Sequence, residues 1–281
     1  MIHDEHIKNI PGNILEDVVV VKAGSSVLPD NESYPRRAKQ IIEVLESYNL
    51  KQLIVVCSAR KNETQETIES IAGTKSNVLL DALYGKMDTE FESHDIAKTL
   101  ITPEINAAYR LMDSVKCFGY NDVSVLEQNN PDYPIIANSC KLKAKLDMDM
   151  SKKKAGYISS LSRLVITSGF GAVNDFGEIV CLGKGSSDDV AKVFGEITTA
   201  RRVLLLKDEE GICDCFGTDY QKKFDYLSGE EAKTMGGIVN PSVFDICPGS
   251  GLELRVGHYK DIVPLVGGMP GYGTVILDRG A

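Results

Sequence analysis

The glycine-rich segment Leu182–Asp189 carries the residues of this chain that are best suited to chemistry. It has the sequence Leu-Gly-Lys-Gly-Ser-Ser-Asp-Asp and leads into the apolar-periodic run Val190–Ala200, which is typical of a helix. Glycines and serines at a helix start expose backbone N–H groups that can bind an anion. A lysine and two carboxylates add the charges that a phosphoryl-transfer or carboxylate-binding site would use. The alternative is an ordinary serine-capped helix after a glycine loop.

A second candidate is Lys22, which follows the apolar run Val18–Val21 and precedes the turn formed by Gly24, Ser25 and Ser26. A lysine at the end of a strand can neutralise a transferring phosphoryl group while a glycine-serine turn donates N–H groups. The alternative is a solvated lysine that closes a strand.

Buried parallel strands are predicted to position these groups. Five apolar runs without polar alternation are typical of strands covered on both faces, namely Val18–Val21, Leu53–Cys57, Val123–Leu126, Leu164–Thr167 and Val203–Leu206. Helical patterns lie between several of them, at Tyr34–Tyr48, Glu104–Phe118 and Asp188–Ala200. This alternation predicts an α/β fold, a three-layer αβα sandwich with a mostly parallel central sheet. Short strands are also expected near the end of the chain, at Leu252–Val256, Ile262–Val266 and Thr274–Leu277.

The residues that follow four of these strands are small, hydroxyl-bearing or charged. Ligands bind at the carboxyl ends of strands in such sheets, so a cleft is predicted at that edge. Two segments are harder to place. Gly73–Leu100 is interpreted as a helical excursion that forms a lid or an oligomer contact, and Lys141–Lys154 as a solvated edge strand or loop.

Composition excludes several classes of function. A net charge of −9 argues against a nucleic-acid or anionic-membrane partner, because phosphate backbones attract basic surfaces. No apolar run approaches the roughly 18 residues that a membrane-spanning helix needs. The polar segment Met1–Asn13 does not resemble a signal peptide, so a cytoplasmic protein is expected. Cys213 and Cys215 lack the further ligands of a zinc site, and no bound metal is expected apart from Mg²⁺ that accompanies a nucleotide.

Three familiar motifs are missing from the chain. The P-loop pattern is absent, the first strand is not followed by Gly-x-Gly-x-x-Gly, and no histidine lies beside a serine or cysteine in a strand-end loop. The sequence therefore disfavours a P-loop kinase, a dinucleotide-binding enzyme and a triad hydrolase.

A series of motifs resembles the catalytic domain of the aspartokinases, within the amino-acid kinase family. Lys22–Val27 resembles the opening Lys-Phe-Gly-Gly-Thr-Ser, and Leu182–Asp188 resembles Leu-Gly-Arg-Gly-Gly-Ser-Asp. The other matching segments follow in the family's order: Val55–Ala59 with Thr64, Pro103-Glu104 at an expected helix start, Ser168–Ala172, Lys207–Gly211 and Pro270–Ile276.

The resemblance implies transfer of the γ-phosphate of MgATP to the side-chain carboxylate of L-aspartate. Carried over by position, Lys22 and Asp188 would be catalytic, with Asp188 orienting the cationic groups. The amino acid would contact Ser58, Thr64, Glu104 through its ammonium group, and Lys184 through its α-carboxylate. The nucleotide would lie against Gly24, Ser25, Ser26, Lys207, Asp208 and Gly211.

Departures from the family pattern fall mainly on the nucleotide side. Lys184 replaces an arginine, which keeps the charge but loses the bidentate fork. Gly237 stands where the family has a phosphate-binding lysine. Lys207 and Lys233 are both candidates for the missing charge, and the sequence leaves the choice open.

The resemblance also predicts the organisation of the chain. Residues 1–281 would form one amino-acid kinase domain, with an amino-acid-binding lobe over about 14–175 and a nucleotide-binding lobe over 176–281. A homodimer is expected, and the chain length predicts no regulatory domains and no feedback control through them. Two alternatives remain: a diverged kinase acting on another small acid, and a non-catalytic protein that binds an amino acid or a partner.

Overall fold

The computed structural model describes residues 17–86, 93–215, 217–218, 221–235, 239–245 and 250–277. Met1–Asn13 and Gly237, which figure in the sequence analysis, lie outside the described residues. The strands are β1 (Val18–Ala23), β2 (Gln52–Cys57), β3 (Val123–Leu126), β4 (Leu164–Ser168), β5 (Gly171–Val173), β6 (Ile179–Cys181), β7 (Arg202–Lys207), β8 (Cys213–Asp214), β9 (Lys222–Lys223), β10 (Tyr226–Ser228), β11 (Glu253–His258) and β12 (Thr274–Leu277).

The α-helices are α1 (Ser33–Ser47), α2 (Glu63–Ala72), α3 (Ser76–Leu83), α4 (His94–Cys117), α5 (Met148–Lys154), α6 (Ser187–Ile197), α7 (Gly229–Met235) and α8 (Ile262–Gly267). Short 3₁₀ turns lie at Gly73–Lys75, Ala155–Ser160, Pro241–Phe244 and Tyr259–Asp261.

The main sheet of the described residues has the strand order β10-β12-β11-β7-β1-β2-β4-β3. Every neighbouring pair is parallel except β11 with β12. All five predicted apolar runs are strands of this sheet, which confirms the α/β fold with a mostly parallel centre. The division into two lobes stays a prediction.

Alternate residues of the central strands supply a separate core on each face of the sheet. Val19 and Val21 pack with apolar residues of α1, α4 and α8, whereas Val20 packs on the other face with apolar residues of α6. Because successive side chains of a strand point to opposite faces, a run of valines is buried on both sides. The result is the predicted three-layer sandwich.

The segment Gly73–Leu100 contributes to a third apolar cluster beside the sheet. Within its described part, α3 packs its Leu79 and Leu83 against Ile68 of α2 and Leu100 of α4. The predicted helical content is confirmed for these residues, while a lid or an oligomer contact stays a prediction.

Two local predictions are wrong, and a third is confirmed only for the first half of its segment. The α4 helix begins at His94, ten residues before Glu104, because Ser93 caps it by accepting the Ile96 N–H at 3.2 Å and Pro103 lies inside it. Ile262–Val266 forms α8 rather than a strand. Lys141–Lys154 is irregular up to Asp147 and then helical, since Asp147 caps α5 by accepting the Met150 N–H.

Candidate active site

A cleft of about 570 Å³ opens at the carboxyl ends of the central strands, where the sequence predicts it. Eight of the twelve predicted site residues line this cleft: Lys22, Ser25, Ser58, Thr64, Glu104, Lys184, Asp188 and Lys207. The parallel arrangement of β1, β2 and β7 explains this convergence, because their carboxyl ends meet at one edge of the sheet.

The floor of the cleft is formed by Lys22, Asp188 and Lys207, which we call the lysine cluster. The Nζ of Lys22, at the end of β1, lies 3.0 Å from Oδ1 of Asp188. The Nζ of Lys207, at the end of β7, donates a hydrogen bond to Oδ2 of the same carboxylate at 3.2 Å. All three side chains are largely buried, at 11%, 7% and 12% exposure respectively.

Asp188 lies in the first turn of α6, where the positive end of the helix dipole favours a carboxylate. Burial alone would raise the pKa of Asp188, but Lys22 and Lys207 outweigh burial and hold this pKa below its ordinary value. Asp188 is therefore an ionised anchor for two ammonium groups and a poor proton acceptor.

The turn after β1 keeps room for the Lys22 side chain. A Cβ atom at Gly24 would lie 2.6 Å from the Lys22 Nζ, so any larger residue would displace the ammonium group. The Gly24 carbonyl accepts the N–H groups of Val27 and Leu28 at 3.0 and 2.9 Å, which closes the turn. Ser25 lines the cleft, while the exposed Ser26 and Gly24 itself do not.

Hydroxyl groups from two segments, the one after β2 and the start of α6, meet in a wall of the cleft that we call the acceptor wall. The Oγ of Ser58, after β2, donates to the Oγ of Ser187 at 3.0 Å. Ser187 was not singled out from the sequence, although it lies in the glycine-serine segment. Thr64, in the first turn of α2, lines the same wall.

Glu104 lies in the middle of α4, deep in this wall and 6% exposed. Its Oε2 accepts the N–H of Gly169 at 2.8 Å, and the N–H groups of Ala59 and Phe170 also stabilise its carboxylate. Burial is the larger influence and raises the pKa of Glu104 to about 7, while these N–H groups and Lys22 oppose the rise. Near neutral pH this carboxyl group is therefore poised between its two states.

Lys184 is exposed at the mouth of the cleft. Its Nζ lies 5.6 Å from the centroid of the Tyr84 ring, and its N–H donates to the Leu83 carbonyl at 3.2 Å. The end of α3 thus supports the loop that carries Lys184.

Only some of the residues predicted to bind the nucleotide line the cleft. Lys207 lines the cleft, but the exposed Asp208 and the buried Gly211 do not. A Cβ atom at Gly211 would lie 2.5 Å from Oγ1 of Thr274, so this glycine permits close packing against β12. That contact is a structural reason for glycine at this position.

Other residues in and around the cleft are held by contacts that no sequence motif predicts. Asn240 donates to Asp189 at 2.8 Å and thereby ties the segment around Pro241 to the start of α6. Arg60 pairs with Glu63, which also accepts from Arg110 at 2.8 Å. Both contacts hold loops at the edge of the cleft in place.

The electrostatics of the cleft oppose the charge of the whole chain. Five basic side chains line it, Lys22, Arg60, Lys61, Lys184 and Lys207, against the carboxyl groups of Asp188 and Glu104. Clefts lined by one sign of charge concentrate ligands of the other sign. The cleft is suited to an anion in a protein whose net charge is −9.

Residues 17–258 match the sequence profile of the Amino acid kinase family, which spans most of the chain. The chain therefore belongs to this family of kinase-type phosphotransferases. No curated protein sequence matches the chain significantly.

Solved structures with the same fold come from several kinases. Escherichia coli aspartokinase III, in complex with aspartate and ADP, is 19% identical with a TM-score of 0.68, over 94% of this chain and 65% of its own. Uridylate kinase from Archaeoglobus fulgidus is also 19% identical (TM-score 0.60, 92% of this chain and 99% of its own). Carbamate kinase from Giardia lamblia, bound to AMP-PNP, is 10% identical (TM-score 0.59, 94% and 99%). The chain spans just under two thirds of the length of aspartokinase III.

The described residues offer neither a built-in metal site nor a membrane-spanning helix. No cluster of three or more histidine, cysteine, aspartate or glutamate side chains is arranged to hold a metal ion in that part of the chain. None of the helices described there is both long enough and apolar enough to cross a lipid bilayer.

Proposed function

We propose that this protein transfers the γ-phosphoryl group of MgATP to the side-chain carboxylate of L-aspartate, giving β-aspartyl phosphate and ADP. The observation that carries the proposal is the Lys22–Asp188 pair, fixed at the floor of a basic cleft beside a wall of hydroxyl groups and Glu104. Membership of the Amino acid kinase family supports the phosphoryl-transfer chemistry. The motifs of the amino-acid-binding side support the choice of aspartate.

The residues around the cleft suit an acceptor that is already ionised. A carboxylate oxygen attacks the γ-phosphorus, a new O–P bond forms, and the bond from this phosphorus to the β–γ bridging oxygen breaks. Charge balances without a proton transfer, so the step needs positioning and charge stabilisation rather than a general base. The residues that line the cleft in the described part of the chain include no histidine, and Asp188 is held ionised.

The residues of the cleft then have distinct roles. Lys22 donates to the transferring phosphoryl oxygens, and Asp188 holds its ammonium group in place. Glu104 in its carboxylate form accepts the ammonium group of aspartate, and Lys184 binds the α-carboxylate. Mg²⁺ enters with ATP as part of that substrate.

A second candidate is the same transfer to a different small acid. The observation that favours it is Lys184, a flexible point charge at the mouth of the cleft, whose looser recognition of a carboxylate would admit other acceptors. The likeness to kinases with other acceptors is consistent with this alternative.

Calorimetry with MgATP, followed by trapping of acyl phosphate with hydroxylamine, tests both candidates. We expect MgATP binding and formation of aspartyl hydroxamate, with smaller yields from L-glutamate, succinate and L-malate. If another acid gave a larger yield of hydroxamate, that acid and not aspartate would be the acceptor. The absence of MgATP binding at millimolar concentration would refute both and leave a non-catalytic binding protein.

A further inference from the structure

Lys207 and Lys22 lie at the ends of two neighbouring strands, and their ammonium groups contact the same carboxylate. Strands β1 and β7 are parallel neighbours in which Lys22 pairs with Leu205 and Ala23 with Leu206. Lys207 is the next residue of β7 after Leu206, so its side chain lies at the carboxyl edge of the sheet, close to that of Lys22. Both reach the carboxylate of Asp188, one at each oxygen.

The lysine cluster is largely buried and contains more positive than negative groups. One carboxylate faces two ammonium groups, and Lys207 is only 12% exposed. Burial and the neighbouring Lys22 lower the pKa of Lys207, whereas Asp188 and, less strongly, Glu209 oppose them. Within the described residues, Lys207 donates one hydrogen bond, to Asp188, so most of its N–H donors are unused although the side chain is largely buried. An anionic ligand in the cleft would complete the compensation.

The described residues also distinguish the two lysines that the sequence left as candidates. Lys233 pairs with Glu230 at 2.7 Å and with Asp245 at 2.5 Å, and it does not line the cleft. Lys207 lines the cleft and shares Asp188 with Lys22. Of the two, only Lys207 can reach a phosphoryl group at the cleft floor.

We propose that Lys207 is a second catalytic lysine, which contacts the transferring phosphoryl group together with Lys22 and replaces a lysine that the aspartokinase pattern has at position 237. The proposal rests on the proposed function and refines it. In the transition state the charge spreads over the three equatorial oxygens of the phosphoryl group, and ammonium groups from β1 and β7 neutralise it from one side. Asp188 fixes the spacing of the two ammonium groups.

The test compares Lys207→Thr, which removes the ammonium group, with Lys207→Arg and with the matched control Lys233→Thr. The readouts are kcat for acyl phosphate, the Kd of MgADP, and the Kd of MgADP with aluminium fluoride, a mimic of the transferring phosphoryl group. Removing one donor to developing charge costs about 10²–10³-fold in kcat. We expect that loss in Lys207→Thr, with a comparable weakening of the aluminium fluoride complex, an almost unchanged Kd for MgADP, and partial recovery in Lys207→Arg.

Lys233→Thr should match the wild type in every readout. Folding of each variant is checked by its thermal midpoint, and Lys207→Gln replaces Lys207→Thr if the latter is unfolded. An unchanged kcat in both Lys207 variants would overturn the proposal. Equal losses in the binding of MgADP alone and of its aluminium fluoride complex would also overturn it, because they indicate a role in nucleotide affinity only.

The aluminium fluoride measurement separates this proposal from the choice of acceptor. If the wild type phosphorylates none of the acids but binds the complex in a Lys207-dependent way, the acceptor is wrong and the role of Lys207 stands. If the wild type binds neither MgATP nor the complex, both proposals fall.

Discussion

Two clusters at opposite ends of β7 have the same formal charges and very different surroundings. At its carboxyl end, Lys22 and Lys207 share Asp188. Near its other end, Arg202 and Arg255 share Glu253, and we call these three residues the arginine cluster. Arg202 and Lys207 are five residues apart on one strand, or about 17 Å.

The arginine cluster uses its hydrogen-bond donors within the protein. Arg202 bonds both oxygens of Glu253 and the carbonyl of Val266, which joins β7 to β11 and to the end of α8. Arg255 donates to the same carboxylate and to the carbonyls of Met269 and Tyr272. Planar, bidentate guanidinium groups are suited to such permanent contacts.

The lysine cluster leaves most of its donors uncommitted. Within the described residues, Lys207 donates only to Asp188, and Lys22 contacts the other oxygen of this carboxylate at 3.0 Å. Each ammonium group carries three N–H donors. The same pattern of charges can therefore stabilise a fold when its hydrogen-bond donors are saturated, and it can bind a ligand when they are not.

The largest effect on catalysis is expected for Lys22→Met in the lysine cluster. Loss of this ammonium group removes stabilisation of the phosphoryl oxygens, and kcat for acyl phosphate should fall by about 10³-fold. The free energy of unfolding should change by less than about 1 kcal/mol, since Lys207 still neutralises Asp188. Steady-state assays and urea unfolding measure the two quantities. A kcat within tenfold of the wild type would refute the catalytic role of Lys22.

The converse result is expected for Glu253→Gln in the arginine cluster. Two largely buried guanidinium groups would lose their counter-ion, and the free energy of unfolding should fall by about 3 kcal/mol. The kcat of the folded fraction should stay within about twofold, because this cluster is remote from the cleft. Urea unfolding and the acyl phosphate assay provide the readouts. Lost activity in fully folded protein would contradict the division between the clusters.

The pH dependence of stability also tests the structural role of Glu253. Burial alone would raise the pKa of Glu253, but Arg202 and Arg255 outweigh it and hold the pKa below its ordinary value. A lowered folded-state pKa gives stability that is complete above the ordinary pKa and is lost as the pH falls through the folded value. The wild type should therefore lose more stability than Glu253→Gln between about pH 5 and pH 3. Equal losses would show that Glu253 is not the titrating group.

A moderate effect is expected at Glu104, on the acceptor wall of the cleft. Since burial raises the pKa of Glu104 to about 7, the carboxylate that binds the ammonium group of aspartate forms as the pH rises through this value. The kcat/KM for L-aspartate should rise about tenfold from pH 6 to pH 8. Glu104→Gln should flatten this profile, measured with saturating MgATP. A profile unchanged in the variant would exclude the ammonium-binding role.

The smallest effect is expected for Lys184→Arg. A guanidinium group restores bidentate recognition of the α-carboxylate, so KM for L-aspartate should fall by about three- to tenfold while kcat stays constant. Lys61→Arg is the matched control, because Lys61 also lines the cleft and has no assigned role. A KM that falls equally in both variants would indicate a general charge effect rather than a specific contact.

Much of the fold follows from local sequence patterns. The five central strands are uniformly apolar because both faces are covered, and that pattern predicts them within one or two residues at each end. The polar residues at the strand ends also predict the cleft, because carboxyl ends of parallel strands converge.

The errors arise where tertiary contacts override local signals. Pro103 suggests a helix start, yet it is buried inside α4 and the true cap is Ser93. Ile262–Val266 is too short for its periodicity to distinguish a strand from a helix. The sequence also could not choose between Lys207 and Lys233, because the choice depends on Asp188 and Asp245, which are distant from them in the chain.

Phosphoryl transfer at the lysine cluster is tested most directly by a paired assay of the purified wild type with MgATP, L-aspartate and hydroxylamine. We expect ADP and aspartyl hydroxamate to form in equal amounts, and Lys22→Met to slow both equally. ADP formed without hydroxamate from any acid, or hydroxamate formed at the wild-type rate by Lys22→Met, would contradict phosphoryl transfer to a carboxylate at the lysine cluster.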